Sequence, residues 1–225
     1  MSVRLHLRNM QIGFITGATE DEYVAGQLWR QVRLEGCPWH PRGRCGFSRH
    51  GTYLRMRPTG VRVPRWYCPR AHGTVSLLPD FAASGVSDSL AGIEAVAIAA
   101  KNWGRTAGEV ARALRPDIDP RGAQRWVSRR VAWVQRACVI LLGVAPELLL
   151  GRHADVGGLR AALGATLEML RTVRHLAGAS LLGAPAPLGL GARSEVGNRR
   201  IQYVQHCLAL ERTARDHAFL AKPPE

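Results

Sequence analysis

Two short segments, each pairing a cysteine with a histidine, constrain the possible folds of this chain more than any other feature. Cys37 and His40 are three positions apart in the first segment, and Cys68 and His72 are four positions apart in the second. A proline directly follows each cysteine, and proline fixes φ in a way that suits a tight turn. Thiolates and imidazoles are the usual ligands of structural zinc. The two turns therefore predict a closed, tetrahedral Zn²⁺ site.

Cys45 is a fifth candidate ligand, and it leaves the composition of the site open. Cys37, His40 and Cys68 belong to both chemically reasonable sets of four. Either His72 or Cys45 completes the set, and the spacing does not decide between them. The alternative is that the cysteines are small core residues and the histidines are surface residues. Because no acid lies beside the candidate ligands, a structural metal is favoured over a catalytic one.

The segment between the two turns has the pattern of a β-hairpin. Residues 51–68 read GTYLRMRPTGVRVPRWYC, in which short apolar alternations flank the turn sequence RPTG. Such a hairpin would bring the two metal-binding turns together, as in a zinc ribbon. Upstream, the sequence predicts one or two short strands, over 3–7 and 11–16, and an amphipathic helix over 21–34.

Residues 88–138 change character and predict three helices, of which the second is short. The first has apolar residues at helical spacing. Thr106 and Glu109 stand in capping-box register at the start of the second, and Asp119 and Pro120 form an N-cap and N1 pair for the third. Three helices in this order are typical of a helix-turn-helix unit, although the linker RPDID is longer than its usual tight turn.

The third helix has the pattern of a recognition helix. Its apolar residues would face the other helices: Ala123, Trp126, Val127, Val131 and Val134. Its opposite face would be polar and basic near the N-terminus: Arg121, Gln124, Arg125, Ser128 and Arg129. Arginine pairs with guanine and glutamine with adenine in the major groove, and Arg130 and Arg136 are expected to contact phosphates. The alternative is a plain helical bundle with an arginine-rich solvated face.

The formal net charge of +14 indicates a polyanionic partner, although the abundance of arginine also suggests coding bias. The distribution is more informative, because residues 30–79 contain ten arginines and a single acid, Glu35. We therefore assign phosphate contacts in this segment to five arginines: Arg49, Arg55, Arg57, Arg62 and Arg65.

Composition divides the chain into four parts and predicts an α+β fold that is mainly α. The last part predicts a helix over 157–178, with a stripe of leucines, and a final helix over 199–221. Their apolar faces would mediate homo-oligomerisation, contact a partner, or form the inside of a single bundle. The four parts are an N-terminal strand and helix segment (1–35), a zinc-ribbon-like module (36–80), a helix-turn-helix unit (86–138) and a C-terminal helical region (139–225).

No signal peptide or apolar run long enough to span a bilayer is visible, so we expect no membrane contact and a cytoplasmic, nucleoid-associated protein in a bacterium. In a cytosolic protein, clustered cysteines indicate a metal site rather than disulfides.

The segment CPWHPRGRCGFSRHGTY and the later RWYCPRAHGTVSLLPDF together resemble the N-terminal zinc ribbon of bacterial insertion-sequence transposases and their accessory proteins. In those proteins a helix-turn-helix follows the ribbon. The matching residues are 49–51 and 65–68, with Thr74 and Val75 in place of Thr-Phe. Uncharacterised bacterial proteins ending this motif in SLLPDF are closer still. The resemblance covers 36–138 and implies a DNA-binding protein of a mobile element, with histidines at two positions where the family has cysteines.

No catalytic domain is evident, because the acids after residue 138 lie in helical or loop contexts without the strands that a metal-binding carboxylate triad needs. We therefore expect a zinc-stabilised, non-enzymatic protein that binds double-stranded DNA specifically, as an accessory factor or regulator that contacts a transposase or integrase. One alternative is a catalytic transposase or recombinase on another scaffold, with Tyr203 beside Arg199 and Arg200. The other is a zinc-ribbon RNA-binding protein.

Overall fold

Four strands form one mixed sheet in the order β1-β4-β3-β2. The computed structural model describes residues 8–102, 106–164, 168–177 and 187–189. Strands β2 and β3 pair antiparallel, as do β3 and β4, whereas β1 runs parallel to β4. The strands are β1 (Arg8–Phe14), β2 (Ser48–Leu54), β3 (Arg62–Cys68) and β4 (Gly73–Pro79).

The hairpin predicted between the two Cys/His turns is present as β2 and β3. It begins slightly earlier than the sequence pattern indicates, at Ser48. A register shift between Arg49 and Gly51 marks a β-bulge. Gly51 has φ +114, a left-handed backbone conformation that favours glycine, so its position in the bulge explains why a glycine interrupts the strand.

Strand β1 lies before the predicted boundary between residues 35 and 36, and it belongs to the same sheet as the hairpin. Its pairing runs from Arg8 opposite Gly73 to Phe14 opposite Pro79. Apolar residues of both strands share one core cluster with Trp66: Met10, Ile12, Val75 and Leu77. The unit around the two Cys/His turns is therefore a four-stranded sheet, larger than a two-turn ribbon.

The predicted helix over 21–34 is wrong in its second half. Helix α1 (Glu20–Ala25) ends at Gly26, and Gln27 then adopts a left-handed conformation with φ +48. This reversal lets Tyr23 and Trp29 pack into the same core, with ring centroids 5.8 Å apart. A continuous helix could not place both rings against the sheet, so tertiary packing overrides the helical pattern here.

Six α-helices and two short 3₁₀ turns complete the described structure, which is α+β as predicted. The three helices predicted over 88–138 are present as α2, α3 and α4, and the predicted caps at Thr106 and Asp119 are formed. They share a small core of Val96, Ala99, Val110, Ala111, Ala123 and Val127. The helices after α1 are α2 (Leu90–Asn102), α3 (Ala107–Leu114), α4 (Pro120–Val144), α5 (Val156–Leu163) and α6 (Met169–Ala177), and the 3₁₀ turns are Leu28–Arg30 and Pro146–Leu149.

The single helix predicted over 157–178 is wrong, because α5 ends before Gly164, whose φ is +80. Leu159 and Leu170, from the predicted leucine stripe, are nonetheless buried in one core with α2 and α4. The predicted strand over 3–7 and helix over 199–221, with Tyr203, lie outside the described residues. No helix in the described part of the chain is long and apolar enough to cross a membrane.

Candidate metal centre and basic surfaces

Four of the five predicted ligands meet at one point of the structure. The ligand atoms of Cys37, His40, Cys45 and Cys68 all lie within 4.8 Å of one another. The three cysteines are buried and His40 is half-buried. Among the residues that the structure describes, no carboxylate belongs to this group. The donor set is therefore three sulfurs and one nitrogen.

The spacing of the donor atoms suits tetrahedral coordination of one ion. Nδ1 of His40 lies 3.5 Å from Sγ of Cys37 and 3.4 Å from Sγ of Cys68. Zinc bonds of about 2.3 Å to sulfur and about 2.0 Å to nitrogen, at a tetrahedral angle, place these atoms about 3.5 Å apart. Both distances from His40 therefore match those of a histidine and a cysteine that share one tetrahedral ion.

Two backbone turns and one loop position the four ligands. In the first turn the His40 N–H donates to the Cys37 carbonyl oxygen at 3.2 Å. In the second, the Ala71 N–H donates to Sγ of Cys68 at 3.4 Å. The loop that brings in Cys45 needs the next residue, Gly46, because its φ is +70 and a Cβ there would lie 3.0 Å from a ring carbon of Pro69.

The surroundings shift the pKa values of two of the thiols in opposite directions. Burial raises the pKa of the Cys37 thiol to about 12, against opposing hydrogen bonds from backbone N–H groups. Burial also acts to raise the pKa of Cys45, but hydrogen bonds from the Phe47 N–H and the Cys37 side chain outweigh it and lower that pKa. Three thiolates at this distance repel one another unless a cation lies between them, so ion binding and deprotonation are linked.

His72 lies outside the group of four. It is exposed, has φ +47, and its N–H donates to the Pro69 carbonyl oxygen at 3.3 Å, which closes the second turn. Of the two ligand sets that the sequence left open, the geometry assembles the one completed by Cys45. The prediction that His72 is a ligand is not supported by this arrangement, because its turn places it on the surface.

Arg55 does not fit its predicted contact with a nucleic acid, because it is buried. Its side chain is 8% exposed, so it cannot reach a phosphate on the surface. Its guanidinium donates to backbone carbonyl oxygens of residues that connect the sheet to the helices, namely Ala83, Val86 and Asp88, as well as to that of Arg57. Arg55 holds this connection in place.

The other four predicted arginines of the sheet differ in their freedom. Arg49 is half-buried and donates to the carbonyl oxygens of Trp29 and Val32. Arg65 donates to the Thr74 hydroxyl at 3.4 Å and lies over the Tyr53 ring at 5.7 Å. Arg57 and Arg62 are exposed. Only these last two have the unrestricted exposure that the prediction assumed.

The N-terminal half of α4 has the two-faced arrangement that the sequence predicts. Ala123, Val127 and Val134 are buried, and Trp126 and Val131 are half-buried. The five predicted base-contacting residues are all exposed: Arg121, Gln124, Arg125, Ser128 and Arg129.

Arg130 is wrong as a predicted phosphate contact. It is 6% exposed, its Nε donates to Oδ2 of Asp88 at 2.8 Å, and it lies 3.7 Å from the ring centroid of Trp126. The ion pair and the ring together hold the guanidinium inside the fold.

A second cluster, which the sequence patterns did not predict, is built on residues 80–89 between the sheet and the helices. Asp80 follows β4 and is 2% exposed, and its Oδ2 accepts from Arg171 at 2.8 Å and lies 2.7 Å from Nε2 of His175. Arg174 is 4% exposed and donates to the carbonyl oxygens of Asp80 and Ala82, and to those of 187 and 188. We call residues 80–89, with the arginines that bind them, the linker cluster. The sequence around 169–177 shows helical periodicity, but this pattern does not indicate that its arginines bind oxygens of residues 80–82.

Comparisons with protein-family models, with curated proteins and with solved structures find no significant match for this chain. The resemblance of 36–138 to transposase zinc ribbons therefore stays a prediction, and the interpretation of the site depends on its geometry.

Proposed function

We propose that this chain is a DNA-binding protein without catalytic activity of its own, stabilised by one structural zinc ion. The observation that carries the proposal is the exposed face of α4, where five polar or basic side chains lie side by side above a buried apolar face. A helix of this kind is the usual reading element of helix-turn-helix proteins.

The charge of α4 supports a polyanionic ligand. The helix contains five arginines and no acid over its 25 residues. Of these arginines only Arg130 is taken up by an acid inside the fold. The positive end of the helix dipole lies at the same end as Arg121, Gln124 and Arg125, which further favours negative charge there. Arginine and glutamine side chains can donate to and accept from base edges in the major groove.

The donor set supports zinc as the metal. Thiolates and imidazole select zinc or other soft ions over magnesium and calcium, which prefer oxygen ligands. Four protein ligands leave no position for a substrate, and three of them are buried. Such a site is structural: it would fix the loop of Cys45 and the end of β3 against the first turn.

The association with a mobile element is part of the proposal and depends on the resemblance of 36–138. In that reading the chain acts as an accessory factor or regulator that contacts a transposase or integrase, and its partner is double-stranded DNA.

The test is selection of bound sequences from a random duplex library, followed by affinity measurements on the selected site. Arg125→Gln should cost about 1–3 kcal/mol of discrimination against the wrong base. Arg152→Gln, which removes the same charge from an exposed loop away from α4, is the matched control and should keep the sequence preference. Absence of any enriched sequence, or tighter binding of structured RNA than of duplex DNA, would contradict the proposal.

A further inference from the structure

A cleft of about 630 Å³ lies beside β2. Its residues belong neither to α4 nor to the candidate metal site of Cys37, His40, Cys45 and Cys68, which we call the metal cluster. Two segments that are distant in sequence line it: the turn after α1 and the β2–β3 hairpin. The residues that matter for its chemistry are Gln27, Arg30, Arg49, Gly51, Thr52 and Arg62.

The cleft exists because the backbone turns away on both sides of it. Gln27 has φ +48 and reverses the chain after α1. Gly51 has φ +114 at the β-bulge, and a Cβ added there would meet no heavy atom within 4 Å. The space above Gly51 is therefore open, and the absence of a side chain leaves room for a ligand.

Three arginines line this space, and they form no ion pair with any residue that the structure describes. Arg49 is fixed by donation to the carbonyl oxygens of Arg30 and Val32, at 3.1 and 3.3 Å. Arg30 and Arg62 are exposed. The two segments that line the cleft add no negative charge of their own, because residues 27–30 and 49–62 contain no acid.

The neutral groups of the cleft match the charged ones. The Thr52 side chain carries a hydroxyl donor and that of Gln27 an amide donor, and both line the same space as the arginines. Several N–H and O–H donors around an open, positively charged concavity are the chemistry that binds phosphate oxygens. The lining is mostly polar, so an apolar ligand would gain little there.

We propose that this cleft binds phosphate groups, with Arg30 and Arg62 as the movable donors and Arg49 as a fixed charge. The source of the phosphate is the backbone of the nucleic acid, and this part of the inference rests on the proposed function. Bound there, a phosphodiester would give the chain a second, sequence-independent contact besides α4.

The first experiment tests the cleft itself, on the full chain loaded with zinc. Inorganic phosphate or pyrophosphate is titrated while the NMR signals of Thr52 and of the arginine side chains are followed. Saturable shifts that disappear in the double variant Arg30→Gln/Arg62→Gln are expected. The control Arg33→Gln/Arg152→Gln removes the same charge from two exposed arginines outside the cleft and should keep the shifts. Shifts that do not saturate, or that survive in the cleft variant, would overturn the proposal.

The second experiment identifies the source of the phosphate. The affinity of each variant for duplex DNA is measured across a salt series. The double variant Arg30→Gln/Arg62→Gln loses two phosphate contacts, so its slope of log K against log salt should fall by about 2 while its preferred sequence stays the same. Equal slopes for the cleft and control variants would overturn the assignment to nucleic acid. If the chain binds phosphate but no duplex, the proposed function and the nucleic-acid assignment are wrong, while phosphate binding by the cleft is confirmed. Thermal melting of each variant shows whether it is folded.

Discussion

The metal cluster and the linker cluster both hold the molecule together, but they use opposite chemistry. In the first, Cys37, Cys45 and Cys68 come with His40 from two turns and a loop, and their electron-rich donor atoms need a cation between them. In the second, cationic guanidinium groups surround the oxygens of one connecting segment. The first cluster would be completed by an ion from solution, whereas the second is completed by the chain's own side chains.

The linker cluster shows that part of the basic charge of this chain is used inside the fold. Arg55, Arg130, Arg171 and Arg174 are each less than 9% exposed, and they bind carboxylates or carbonyl oxygens inside the fold. Arginine is suited to this because its planar fork offers five donors to several oxygens at once. The net charge of +14 therefore overstates what is available to a nucleic acid.

The largest effect is expected from loss of a metal ligand. Cys68→Ser removes a sulfur that is 0% exposed and should abolish stoichiometric zinc binding, because structural zinc in small domains contributes about 10–16 kcal/mol of binding energy to the folded state. Elemental analysis and thermal melting with and without chelator measure the loss.

Cys138→Ser is the matched control for this variant. Cys138 is also 0% exposed but lies in the helical core, so its replacement should lower stability while leaving one equivalent of zinc. Zinc content unchanged in Cys68→Ser would show that the cluster is an ordinary group of core residues.

An intermediate effect is expected at the buried ion pair between Arg130 and Asp88. Asp88 is only 9% exposed, and Arg130→Met leaves its carboxylate without an ion-pair partner. This variant should therefore lose about 3–5 kcal/mol of unfolding free energy. Urea denaturation provides the measurement. Lys101→Met breaks the exposed pair with Asp155 and should cost less than about 1 kcal/mol, so similar costs for the two variants would contradict the structural role of the linker cluster.

The smallest effect is a change in the acid side of the stability profile. Burial acts to raise the pKa of Asp80, but hydrogen bonds and charge from His175 and Arg171 outweigh it and lower that pKa below its usual value. The ionised carboxylate therefore stabilises the fold above about pH 4, and this contribution is lost as pH falls through the lowered pKa. Asp80→Asn should flatten the profile below pH 4, and Asp21→Asn is the control that removes one carboxylate from an exposed position. Urea denaturation at several pH values measures the profile. A profile that Asp80→Asn leaves unchanged would refute this role.

Local patterns in the sequence predicted much of this structure. The capping box at Thr106 and Glu109 and the N-cap at Asp119 mark helix starts that the structure contains. The two proline-flanked cysteines, Cys37 and Cys68, predicted a shared cluster because a hairpin between two turns brings their ends together. These predictions succeeded since each depends on residues within a few positions of one another, or on a single hairpin.

The remaining features depend on contacts between distant residues. Nothing near Arg174 in the sequence shows that it will bind the carbonyl oxygens of Asp80 and Ala82. The choice of Cys45 over His72 likewise depends on how Gly46 meets the second turn in space. A spacing rule identifies residues capable of binding metal, but the packing of loops determines which of them meet.

The parallel pairing of β1 with β4 has a consequence for how the protein is made and divided. The pair joins strands far apart in the chain, so closing the sheet is a non-local step that follows synthesis of the hairpin and β4. Until β1 pairs with it, β4 has unpaired backbone groups, and most of its side chains are ones that are buried in the finished fold. A fragment starting at residue 36, where composition alone would divide the chain, keeps that side of β4 open. Such a fragment should associate with copies of itself through strand pairing.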